Sequence, residues 1–252
     1  VRIPHLFAGA LLGCALSCSA TAHAVTITIQ GAVQTPGTAT LAEGGRLADA
    51  LVAVQPRADA YLPGSLFLRQ SAVHQQVRLK AGLLHDLQQL SQHPQADYQH
   101  VAGALIQWLE PRPVTGRVPQ VTDMRLMQVQ PQTNPQVEAG DQLQVPLRPA
   151  TVTVSGAVRE VCTLPHVALK SARQYAQQCQ RENAADPEFL YVIQADGKVQ
   201  KLGVALWNRD DPQAVSPGGT VYIPIRESVM QDIDPDFNAE FAAFIATQPA
   251  SP

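Results

Sequence analysis

The sequence predicts an α+β chain made of two tandem copies of one small domain, the first carrying a helical insertion and the second followed by an amphipathic helix. Three observations carry this. "TITIQGAVQ" (26–34) returns as "VTVSGAVRE" (152–160), with Gly31 and Gly156 standing 125 residues apart. "GDQLQVPLR" (140–148) returns as "GGTVYIPIR" (218–226), but at an offset of 78. Recurrence at a fixed offset marks a duplicated unit, and the difference between the two offsets, 47 residues, is extra chain in the first copy.

Residues 1–24 are set aside as a secretory signal. Arg2 gives the positive start, "LFAGALLGCAL" (6–16) the apolar run, and Ala22-His23-Ala24 the small-x-small cleavage site. The alternative, a lipoprotein signal with Cys14 as the lipidated residue, is disfavoured because "AHA" directly precedes a strand-like run. Without Arg2 the formal net charge moves from −3 to −4, which offers no electrostatic footprint for nucleic acid or an anionic membrane. No later apolar run approaches transmembrane length.

The first copy is expected over 25–149. Pro36-Gly37 turns the chain between strands at 26–33 and 38–41. "RLADALVAV" then places Leu47, Leu51 and Val54 on one helical face. Residues 66–79 alternate as a hairpin, which puts the helical insertion at about 80–130. Within it, Leu83, Leu84, Leu87 and Leu90 form one apolar stripe, Val101, Leu105, Ile106 and Leu109 another, and Pro94 separates the two helices. A return strand follows around "VTGRV".

The second copy is expected over 150–228. Its helix face is Ala172, Ala176 and Cys179, and "FLYVIQADGKVQKL" turns at Asp196-Gly197 as a hairpin. A hairpin, one packed helix and a mixed sheet describe a β-grasp domain. Residues 229–252 form the tail: Asp234-Pro235 reads as a cap and first helical position, and Phe237, Phe241, Phe244 and Ile245 line one face. That stripe must be buried: it is expected to pack on the protein's own body in the isolated chain and to be exchanged for a partner groove in an assembly. Its polar face carries Asn238 and Glu240 and no basic residue, which argues against anionic lipid.

The expected mature chain keeps two cysteines, Cys162 and Cys179, matching neither a zinc nor a C-x-x-C spacing. In an oxidising compartment they read as a disulfide; two buried thiols are the bland alternative.

The ordered set "QGAVQTPG" with "RLADAL", then "VTGRVPQVTD", then "NPQVEAGDQLQVPLRP" running into "VTVSGAV" resembles the capsule biosynthesis GfcC family. The resemblance spans nearly the whole mature chain. It implies tandem β-grasp domains akin to the SLBB modules of polysaccharide exporters, a periplasmic location, and a role in capsule or exopolysaccharide assembly. One departure is the second copy's "GAVREVCTLP", which lacks Pro-Gly.

Chemistry is sparse. His74, His85, His93, His100 and His166 form no metal-binding spacing. Asp232, Asp234 and Asp236 begin like a calcium loop, but Phe237 and Ala243 stand where glycine and glutamate are required. No metal or cofactor is expected. The candidate ligand site is Thr115, Gly116 and Arg117 with Asp123: glycine permits close backbone approach, and a guanidinium forks onto carboxylates such as those of acidic sugars. A structural Arg117–Asp123 ion pair is the competing reading. Glu110, Asp123 and Glu138 are acid candidates by elimination only, and Trp108 and Trp207 are the chain's two tryptophans. The expected function is a non-enzymatic adaptor to the polysaccharide export machinery, docking through Phe237, Phe241, Phe244 and Ile245. The alternative is a glycan-binding or glycan-modifying protein using a cleft around Arg117.

Overall fold

The computed structural model describes residues 24–250, so the expected signal up to residue 23, Cys14 included, lies outside the described residues. The first copy runs β1 (Val25–Gly31), β2 (Gly37–Leu41), α1 (Leu47–Val54), β3 (Leu66–Leu68), α2 (Gln70–Leu90), α3 (Ala96–Leu109), β4 (Arg117–Val118), α4 (Met124–Val129) and β5 (Gln142–Val145). The second runs β6 (Thr151–Gly156), β7 (Cys162–Pro165), α5 (Ala172–Ala176), β8 (Phe189–Ile193), β9 (Val199–Gly203) and β10 (Thr220–Ile223), and α6 (Glu227–Met230) and α7 (Phe237–Ala246) close the chain. Among the described residues no helix is long and apolar enough to cross a membrane.

The two five-stranded sheets have corresponding strand orders, β2-β1-β5-β3-β4 and β7-β6-β10-β8-β9. In each, an opening antiparallel hairpin places its first strand parallel to the copy's last strand, β1 on β5 and β6 on β10. This mixed sheet over one packed helix is the β-grasp arrangement, and the chain is α+β.

The repeated Gly-Ala-Val has a steric cause. Gly31 and Gly156 hold φ +95° and +102°, and a Cβ there would lie 2.0 Å from the Val145 carbonyl oxygen and 2.1 Å from that of Ile223. The strand crosses its parallel neighbour so closely that only glycine fits. The next residue donates its N–H to that same carbonyl, Ala32 to Val145 at 2.7 Å and Ala157 to Ile223 at 2.9 Å.

The expected hairpin at 66–79 is corrected. Only 66–68 is strand, and the helical pair starts at Gln70, ahead of residue 80. β3 lies antiparallel to β5 on one side and to β4 on the other, and because β3–β4 corresponds to β8–β9, the two helices sit inside what is the β8–β9 turn of the second copy. The first turns of α2 have no apolar stripe because their buried residue is Gln76, whose amide accepts from Gly116 N (2.9 Å) and donates to Arg117 O (2.8 Å). A helix seated by a polar residue hides its 3.6-residue period.

Packing crosses the repeat boundary. Leu47, Leu51 and Val54 of α1 join the first sheet in one core. Leu83, Leu87 and Leu90 of α2 with Val101, Leu105 and Leu109 of α3 belong instead to the second sheet's core, with α7. Phe237, Phe241 and Phe244 are at most 1% exposed and Ile245 6%. Phe241 lies 5.3 Å from Tyr222 of β10 and 5.5 Å from Trp108 of α3, centroid to centroid. Asn238, expected on the polar face, is buried: its amide bonds Tyr222 Oη and both backbone polar groups of Ile225. The helix starts at Phe237 rather than Pro235, and Asp234 accepts from Asp236 N at 2.8 Å instead of capping it.

Carboxylates crowd the seam between α2 and α7. Burial, then Asp234, raises the Asp86 carboxyl above the usual range, with His85 opposing. Burial, then Asp234, Asp236 and Asp86, raises Glu240 in the same direction. A carboxyl whose pKa rises on folding supports the fold fully below its unfolded value, about 4, and that support fades as pH climbs through the raised value. Asp86→Asn is therefore expected to raise the thermal midpoint at pH 7, with the gain vanishing near pH 4. Melts across that range check it; a gain independent of pH would remove the electrostatic cause.

Cys162 and Cys179 are disulfide-bonded, with Cα atoms 6.1 Å apart and a sequence separation of 17. The bond ties edge strand β7 to the turn after α5. Thiol counting on an unfolded, unreduced chain beginning at residue 25 is expected to find no free thiol, and a Cys162→Ala/Cys179→Ala double variant to lose about 3 kcal/mol.

Candidate functional site

The "TGR" segment is a junction. Gly116 holds φ +73°, and a Cβ there would meet Arg69 O at 2.7 Å, so the sequence-based argument for close backbone approach applies to the protein's own chain. Thr115 donates from Oγ1 to Thr247 O (2.8 Å) and accepts from Arg117 N (3.0 Å). Arg117 is 4% exposed. Its Nη1 donates to Ala246 O (2.9 Å) and Gln248 O (3.2 Å), its Nη2 to Ala195 O (2.5 Å), and Nη2 faces Ser65 O at 3.5 Å. One guanidinium thus joins the first sheet, the β8–β9 turn and the tail.

The Arg117–Asp123 ion pair of the competing reading is not formed among the described residues. Asp123 caps α4 instead, accepting from Arg125 N (2.8 Å) and Leu126 N (3.2 Å). Burial pushes the Arg117 pKa down to about 10, with Asp196 opposing, so the group stays charged at neutral pH. It has no carboxylate within ion-pair distance among the described residues.

Arg117 forms part of the wall of a cleft of about 520 Å³ between the two sheets. Tyr61 and Arg148 stand on the first-copy side, Trp108 and Arg112 come from the helical pair, Ser155 from β6, and Ile245 and Gln248 from the tail. The arginines stack on the aromatics, Arg112 at 3.6 Å from the Trp108 ring and Arg148 at 5.7 Å from that of Tyr61. Arg112 also donates to the Trp108 carbonyl. None of the lining residues is acidic. Among the described residues Arg117 Nε and Ser155 Oγ are buried and find no hydrogen-bond partner. Sequence reasoning singled out Arg117 and missed Arg112, Arg148, Tyr61 and Ser155, because the cleft is assembled from segments without a common motif.

The carboxylates considered for acid chemistry do not enter this cleft. Glu138 pairs with Arg69 at 3.0 Å, and Arg69 also forks onto buried Asp141. Glu110 ends α3, where its carbonyl accepts from Lys80 at 2.8 Å. Among the described residues no cluster of three or more His, Cys, Asp or Glu could hold a metal ion.

Two family models match the chain, "Capsule biosynthesis GfcC, N-terminal" over 21–148 and "Capsule biosynthesis GfcC C-terminal" over 160–249. The "Uncharacterized protein YjbG" of Escherichia coli (strain K12) is 27% identical over 187 residues, covering 74% of this chain and 76% of the relative. Together these matches establish that the chain belongs to the capsule biosynthesis GfcC family.

Proposed function

We propose that the protein acts in the periplasm as a non-enzymatic adaptor in the assembly or export of capsule or exopolysaccharide. Family membership supports the pathway. The Cys162–Cys179 disulfide supports an oxidising compartment.

The observation that carries the adaptor reading is a solvent-facing apolar patch on the second copy. Leu169 is 90% exposed and holds φ +62°, a conformation costly for a non-glycine residue. It walls a groove with Val204, Arg209 and Asp210, and the loop after β9 that supplies those three also carries Leu206 (87% exposed) and Trp207 (72%). Large apolar side chains gathered in water mark contact surfaces. The phenylalanine face of the tail packs on the protein's own core, as expected for the isolated chain, so docking through it requires α7 to exchange that core for a partner groove.

Tagged protein cross-linked in periplasm is expected to recover envelope proteins of polysaccharide export, and Leu169→Asp with Trp207→Asp to abolish that recovery while the fold holds. Recovery of glycan without protein overturns the adaptor reading.

A further inference from the structure

We propose that the cleft between the two sheets binds a carboxylated glycan segment, with Arg112 and Arg148 as the groups that meet its carboxylates and Arg117 as the buried residue holding the tail in place as one wall. This is independent of the docking patch on the second copy.

The charge pattern comes first. A chain of net charge −3 places three arginines on one cleft and no acidic side chain among its lining residues. Among the described residues none of the three has a carboxylate partner within ion-pair distance. Arg117 is committed to backbone carbonyls, but Arg112 and Arg148 rest on aromatic rings with donors left over, and a guanidinium has five. Such an arrangement attracts an anion with planar oxygens.

The remaining lining narrows the anion's class. Pro146, Pro149, Pro217 and Pro249 line the cleft, and proline has no N–H to offer. The charged donors in the lining are the guanidinium groups alone, joined by the hydroxyls of Tyr61, Thr153, Ser155 and Thr220, while the prolines and Ile245 present apolar surface suited to the C–H faces of a sugar ring. Ser155, 4% exposed, supplies a hydroxyl whose oxygen has no partner among the described residues. A lone phosphate would leave most of a cleft of about 520 Å³ unfilled. An alternation of carboxylate and apolar ring face fits both features, and membership in a capsule biosynthesis family makes a polyanionic glycan the pertinent source of that chemistry.

The test uses the full processed chain and trigalacturonate as the carboxylated probe, with maltotriose as its neutral counterpart and inorganic phosphate as the small anion. In a Trp207→Phe background, Trp108 is the only tryptophan and its fluorescence reports the cleft. Trigalacturonate is expected to give saturable binding, by fluorescence and calorimetry, that weakens as salt rises from about 0.05 to about 0.5 M. Arg148→Gln, at an exposed and unpaired arginine, is expected to weaken binding about tenfold or more with an unchanged melt. Arg112→Gln should do the same; if its loss from Trp108 lowers the melt, Arg148→Gln alone decides. Equal binding of maltotriose, phosphate binding as tight as the trimer's, full binding in the Arg112→Gln/Arg148→Gln variant, or no saturation up to about 10 mM probe would each overturn the proposal.

Discussion

Arg117→Ala is expected to lower the thermal midpoint by about 10 °C. The substitution strips hydrogen-bond donors from the carbonyls of Ala195, Ala246 and Gln248 in a site where the side chain is 4% exposed. Leaving a buried acceptor unpaired costs about 1–3 kcal/mol, so three such losses, partly relieved by relaxation, amount to about 3–5 kcal/mol. A chain of this size shifts by about 2–4 °C per kcal/mol. Arg117→Lys keeps the charge but offers one ammonium to carbonyls that approach from different sides, and an intermediate midpoint is expected. Calorimetric melts check both. An unchanged melt in Arg117→Ala combined with loss of capsule display would show that the guanidinium serves a ligand and not the fold.

Phe241→Ala is expected to cost about 3–5 kcal/mol, as truncation of a fully buried aromatic does. Phe241 is 1% exposed and touches Phe237, Tyr222 and Trp108, so the cavity opens where helix, sheet and helical pair meet. Deleting residues 237–252 goes further. It bares the apolar side of α3 around Trp108 and of β10 around Tyr222, and it removes the tail wall of the cleft. Dye-binding apolar surface and self-association are the expected result. A truncated protein that stays monomeric with an unchanged midpoint would show that α7 adds little to the core.

The duplicated unit was legible because its cause is local and repeats. A glycine must pass over a neighbouring carbonyl in each copy, and Pro36-Gly37 and Asp196-Gly197 fix tight turns through their own backbone preferences. The face of α7 was legible for the same reason. The β3–β4 pairing was not, since its partners are separated by two helices and Gln76 seats the first of them through hydrogen bonds. Nor was the environment of Arg117: its partners are carbonyl oxygens, which every residue has, so no residue type announces them. Asp123 looked like a counter-ion because it is acidic and near in sequence, yet the unpaired N–H groups opening α4 claim it.

Covalent order and packing order disagree in one place, with a consequence for how the molecule can be divided. Helices α2 and α3 are inserted in the first copy's chain but complete the second copy's core. The second half of the chain therefore lacks helices that the first half holds. A fragment of residues 150–252 alone would present to water the surface that those helices cover, whereas the two fragments 25–149 and 150–252, produced together, are expected to associate into a soluble complex without a peptide bond between them. The two repeats are therefore expected to unfold as one unit, and swapping either for a homologous β-grasp domain is expected to fail unless the helical pair travels with the sheet it covers.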